Sequence, residues 1–202
     1  MKQIVYVVIA CHFAQKDKLC ATTIRRLNMA LWEARQEDTY LERVKFVVTG
    51  DVPYERGSKT LAWLMREYLI EAGADSQRVI IGSGGGIFSE SRNITSGIKR
   101  RWPDTEIIEV VSSDWYFLPA WLLWKKFGGE QGLKVKVIIV ENTGGPRTRI
   151  MYALYGALVW LAALIDKVLC PIFRLSALRF LGECITKMQS GRKDGFKINN
   201  CR

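Results

Sequence analysis

Ile4-Val5-Tyr6-Val7-Val8-Ile9-Ala10 decides the fold, because it is a run of β-branched and other apolar residues with no polar position to turn toward water. A half-exposed strand alternates polar and apolar side chains, and an amphipathic helix keeps a polar face. A short run apolar on both sides reads as a strand buried on both faces, the mark of a parallel sheet. Four comparable runs follow, Val44 to Thr49, Arg78 to Ile81, Glu106 to Ser112 and Lys134 to Val140. Segments of helical period separate them, so the expected architecture is α/β: a Rossmann-like three-layer sandwich with a mostly parallel five-stranded sheet.

The intervening segments support this order. Thr22 and Thr23 offer a helix cap, and Ile24, Leu27, Leu31 and Ala34 then recur at helical spacing. Lys59 to Ala72 places Leu61, Leu64, Met65, Tyr68 and Leu69 on one face and stops at Gly73, a residue suited to a C-terminal cap. A third helix is expected over Ser91 to Arg101, before Pro103, and a fourth over Tyr116 to Phe127, ending at Gly128-Gly129. After Asn142-Thr143-Gly144-Gly145-Pro146 the alternation ends. Two helical segments follow, Thr148 to Leu169 and Leu175 to Met188, parted by Pro171. The expected organisation is a domain over 1–146, a helical extension over 147–188 and a basic frayed tail over 189–202.

With 202 residues and 49% apolar composition the chain is long enough for an ordinary core. The net charge of +10 is uneven. Residues 1–146 carry only +3, while residues 147–202 carry +7. The globular part therefore lacks the dense basic stripe of a nucleic-acid binder, and Lys99-Arg100-Arg101 reads as a solvated helix end. Five cysteines, an odd number without a CxxC pair, argue against a disulfide framework or a zinc knuckle and favour a reducing cytoplasm. Ile150 to Ile165 is uncharged but shorter than the ~20 residues that cross a bilayer. With Arg147 and Arg149 before this run and Lys167, Arg174 and Arg179 after it, the segment from Ile150 to Arg179 is expected to attach peripherally to an anionic membrane surface or a partner without spanning the bilayer. The alternative is that one helix face covers the sheet and the other meets the second helix.

In open α/β sheets ligands bind beyond the carboxyl ends of the strands, where helix N-termini converge. The residues following the five runs are therefore the site candidates: Cys11 and His12; Thr49, Gly50 and Asp51; Gly82 to Gly86, including Ser83 and Gly84; Ser112, Ser113 and Asp114; and Glu141 to Thr143. Gly82-Ser83-Gly84-Gly85-Gly86 leaves a strand and enters a helix, a path able to set backbone N–H groups around a phosphate or carboxylate. It departs from GxGxxG at Ile87, and it lacks the GKS/T of a P-loop. His12 is the only histidine, so an imidazole base or metal ligand has to use it. No metal is expected, and no Ser-His-Asp order or GxSxG elbow is present.

Several local signatures, taken in order, resemble the YdcF/SanA/ElyC family, catalogued as a domain of unknown function. They are the opening strand with Arg25-Arg26-Leu27, then Val47-Val48-Thr49-Gly50-Asp51, Met65 to Gly73, Glu90-Ser91-Arg92-Asn93, Ser112-Ser113-Asp114-Trp115-Tyr116 with Ala120 and Gly128, and Leu181-Gly182. The chain departs from the family pattern where a histidine falls on Tyr116, an arginine on Pro119, an acidic residue on Leu61 and a threonine on Ile94. The resemblance implies a role near cell-envelope metabolism and a small anionic or nucleotide-like ligand. S-adenosylmethionine is associated with YdcF-like members. Carried to this chain, the resemblance together with the strand-end reading gives His12, Gly50, Asp51, Ser83, Gly84, Ser91, Arg92, Asn93, Ser112, Ser113, Asp114 and Tyr116 as ligand-binding candidates. The rival reading is a non-catalytic membrane-surface or interaction module with a degenerate pocket, which the substitutions at Tyr116 and Pro119 favour.

Overall fold

A computed structural model describes residues 3–11, 13–41, 44–51, 53–55, 57–84, 86–141, 150, 153–162 and 165. His12, Arg147 and Arg149, the expected second C-terminal helix and the 189–202 tail lie outside the described residues. Five strands form one sheet: β1 (Gln3–Val8), β4 (Lys45–Val48), β5 (Val79–Ile81), β6 (Thr105–Ser113) and β7 (Lys134–Val140). Every pairing is parallel and the order is β5-β4-β1-β6-β7, with the run that opened the sequence at the centre. The helices are α1 (Ala21–Glu37), α2 (Leu61–Glu71), α3 (Ile87–Arg101) and α4 (Phe117–Glu130). This is the expected Rossmann-like sandwich.

Alternation along the strands splits the core in two. Tyr6, Val8, Phe46, Val48 and Val111 point to one face and pack with Leu27, Leu31, Met65 and Leu69 of α1 and α2. Val5, Val7, Val47, Ile108 and Val110 point to the other and pack with Ile94, Ile98, Leu123 and Trp124 of α3 and α4. Helical residues 153–162 join this second cluster through Val159 and Ala162. No helix among the described residues is long and apolar enough to cross a membrane.

The local departures have physical reasons. A small hairpin, β2 (Phe13–Gln15) with β3 (Lys18–Leu19), stands between β1 and α1, turning at Asp17 with φ of 54°. Thr22 and Thr23 sit inside the first turn of α1, and Cys20 takes the cap, its Sγ accepting from the Thr23 N–H. The Thr23 hydroxyl is used instead to accept from the Cys11 N–H at 3.1 Å. Helix α3 begins at Ile87, a turn earlier than expected, because Ile87 buries directly after the glycine run. Ser91, Arg92 and Asn93 therefore lie within the helix and do not open it. Helix α4 continues through Gly128-Gly129 to Glu130. A Cβ on Gly128 would lie 2.5 Å from Val135, so this glycine serves close helix-on-strand approach and not termination.

Candidate functional site

The chain runs from β1 through α1 to β4 and through α2 to β5, then crosses back through α3 to β6 on the other side of β1. The direction of winding thus reverses between β1 and β6, the place where open α/β sheets leave a crevice. Beneath it lies Arg26, on the buried face of α1 with Thr23, Leu27 and Ala30 and only 2% exposed. Its Nη1 donates to the Ile9 and Ala10 carbonyls at 2.7 and 3.1 Å, and its Nη2 to Ser113 Oγ at 2.7 Å. One guanidinium thereby joins the ends of the two strands that flank the reversal. Among the described residues no carboxylate pairs with it, and its buried Nε has no partner. Such a charge is costly to bury, and arginine is not relieved of it by losing a proton.

On the opposite face of the same sheet edge lies Glu90, in the first turn of α3 and 8% exposed. Its Oε1 accepts from the Gly50 N–H at 3.2 Å, and its carboxylate accepts from the Thr49 hydroxyl. Thr49 Oγ1 in turn accepts from the Ala10 N–H at 3.1 Å. Burial pushes the Glu90 carboxyl up to about 7, against the two hydrogen bonds that favour its charged form. A carboxyl that titrates near neutrality is suited to passing a proton. The loop fits closely around it. Gly50 has φ of +88°, and a Cβ there would come within 2.6 Å of Ala10 Cβ. A Cβ on Gly84 would lie 2.6 Å from the Glu90 backbone N. Beside this network the Tyr116 ring stacks on Tyr155 at 6.0 Å, and the two hydroxyls are hydrogen-bonded. Burial raises the Tyr155 phenol to about 12.

The residues singled out from sequence are distributed unevenly. Gly50, Asp51, Gly84, Ser112, Ser113, Asp114 and Tyr116 stand at the carboxyl edge of the sheet. Asp51 and Asp114 are exposed, while Ser112 Oγ is buried on the α3/α4 side without a partner among the described residues. Ser91 is buried and its hydroxyl donates to the Phe88 carbonyl within the helix, so it is not offered to a ligand. Arg92 is exposed on α3. Ser83 and Asn93 line a different groove, along the outer edge of β5. The single pocket expected over all these residues is therefore divided, because α3 starts early and turns Asn93 away from the β1/β6 boundary.

Arg26 and Glu90 were not among the candidates, although each carried a signal. Each is a charged residue on the apolar stripe of its helix, Arg26 beside Leu27 and Ala30 and Glu90 between Ile87 and Ile94. Among the described residues no three of His, Cys, Asp and Glu gather as metal ligands. No family model matches the chain, and no curated protein matches it.

Proposed function

We propose that the crevice above the β1/β6 boundary binds a small anionic or nucleotide-like ligand. The observation that carries this is Arg26, a permanent positive charge buried at the winding reversal with no carboxylate among the described residues to offset it. An anionic group seated above it gains that charge together with the positive end of α1. Exposed Asp51 and Asp114, which follow β4 and β6 at the same carboxyl edge, supply acceptors for ligand hydroxyls. Glu90 gives the site a proton carrier at neutral pH. The resemblance to YdcF/SanA/ElyC proteins supports a cell-envelope setting and makes S-adenosylmethionine a ligand to test.

The test is a thermal-shift titration of the full chain with pyrophosphate, adenosine monophosphate and S-adenosylmethionine. A ligand present at ~100 times its Kd adds about 2.7 kcal/mol of stability. The expected result is a rise in Tm with at least one of the three, lost in Arg26→Lys, whose ammonium does not reproduce the fork to both strand ends. No shift with any of them, or an undiminished shift in folded Arg26→Lys, overturns the reading.

A second reading, attachment to an anionic membrane surface, is favoured by Ile150, Leu154, Leu158, Trp160 and Leu161. All five are exposed, the last four on helical residues 153–162, whose other side, Val159 and Ala162, is buried on the domain. Flotation with phosphatidylserine and phosphatidylcholine vesicles at low salt tests it. Selective binding to the anionic vesicles, lost in Leu154→Asp/Leu158→Asp, is expected, and absence of binding to either excludes it.

A further inference from the structure

The groove holding Ser83 and Asn93 is separate from the crevice and has its own chemistry. Strand β5 is one of the two outer strands of the sheet. In its register with β4, the Phe46 N–H donates to the Arg78 carbonyl at 2.9 Å and the Gly82 N–H to the Val48 carbonyl at 2.8 Å. Residues 78, 80 and 82 therefore face inward, and Val79 and Ile81 turn their backbone groups outward. Arg66 Nε meets the Val79 carbonyl at 3.3 Å. The outward N–H and C=O of Ile81 meet no protein group among the described residues, and the residue is 38% exposed. An unpaired strand edge is a template for another strand.

Between this edge and α3 runs a groove of about 300 Å³, floored by Val47, Ile80 and Ile94. Because α3 runs back along the sheet, Arg100 and Arg101 stand at its end near the start of β5, and both line the groove. Neither has a carboxylate partner among the described residues. Gly97 also lines it, and a Cβ there would meet nothing within 4 Å. Packing thus places no demand for glycine at this position, although glycine inside a helix costs about 1 kcal/mol relative to alanine. What the glycine provides is width.

We propose that this groove docks an extended acidic segment of a partner protein, which adds a short strand against Ile81 and sets its carboxylates on Arg100 and Arg101. Main-chain hydrogen bonds at a strand edge give such docking its affinity, and alternate side chains entering the groove give it selectivity. Two guanidinium forks match carboxylates in geometry as well as charge. The apolar floor takes the side chains between them.

Fluorescence anisotropy of labelled Thr-Val-Thr-Val-Glu-Glu, titrated with the full chain, tests the proposal against a matched Thr-Val-Thr-Val-Lys-Lys peptide. The acidic peptide binds saturably and the lysine peptide does not. Arg100→Glu/Arg101→Glu weakens binding at least about tenfold. Ile81→Pro removes the outward N–H together with the Ile81 side chain at the groove, a substitution that edge strands accept, and weakens binding with the circular dichroism spectrum unchanged. Gly97→Leu fills the groove and weakens binding while raising Tm, so it carries the test if Ile81→Pro fails to fold. No saturable binding of the acidic peptide, or binding untouched by Gly97→Leu and by folded Ile81→Pro, overturns the proposal. The thermal shift expected at the crevice, with whichever of the three compounds gives it, is unaffected by Arg100→Glu/Arg101→Glu, which keeps the two sites distinguishable.

Discussion

Arg26 and Glu90 lie under opposite faces of one sheet edge, and each ties strand ends together through hydrogen bonds. They differ in how the cost of burial is met. Glu90 relieves its desolvation by holding a proton up to about pH 7, so the α3 face carries a charge that the medium can remove. Arg26 carries a guanidinium, and two carbonyls and one hydroxyl compensate its charge. The α1 face is therefore a fixed electrostatic feature and the α3 face a titratable one. Sites that recognise an anion and also move a proton need both kinds.

The sharpest way to break this contrast is Arg26→Met. It removes the hydrogen bonds that Arg26 donates to the Ser113 hydroxyl and the Ile9 and Ala10 carbonyls, and we expect a loss of about 4 kcal/mol in urea unfolding. A loss below about 1 kcal/mol would mean that the guanidinium is not the clasp between β1 and β6. Next is Gly50→Ala, which puts a side chain on a φ of +88° and drives Cβ toward Ala10 at 2.6 Å. About 3 kcal/mol is expected from strain and overpacking, measured the same way, and the N–H donated to Glu90 is displaced.

Glu90→Gln sharpens the titratable side. The folded carboxyl titrates at about 7, above its ordinary 4.5. Folding thus favours the protonated form, whose contribution is complete below about pH 4.5 and lost as pH rises through 7. The amide keeps an acceptor for the Gly50 N–H without the charge. Glu90→Gln is expected to gain about 2 kcal/mol over wild type at pH 8.5 and nothing at pH 4.5, by chemical denaturation at the two values. An advantage equal at both would assign the effect to packing. The smallest effect expected is Tyr116→Phe, which removes the hydroxyl bonded to Tyr155 and costs about 1 kcal/mol in a thermal melt.

The five strands and their parallel arrangement were legible in the sequence, because strands covered on both faces read as short, mostly apolar and β-branched runs, of which Ile4 to Ala10 is the purest while others carry a few polar residues such as Lys45 and Glu109. The helix end at Gly73 was equally local, a positive φ of 99° that glycine adopts without strain. The Cys20 cap, the early start of α3 and the passage of α4 through Gly128-Gly129 were not legible. Each depends on a neighbour outside the helix itself: the Cys11 backbone, the core cluster around Ile87, and Val135 on the adjacent strand. The candidate site followed the same division. Sequence placed Gly50, Ser113 and Asp114 at the carboxyl edge, since strand ends follow from strands. Only the tertiary structure selected Arg26 and Glu90 and sent Ser83 and Asn93 to the β5 groove. A charge on the buried stripe of a helix acquires its meaning from what the sheet presents to it, and here those partners are separated from Arg26 and Glu90 by up to 87 positions.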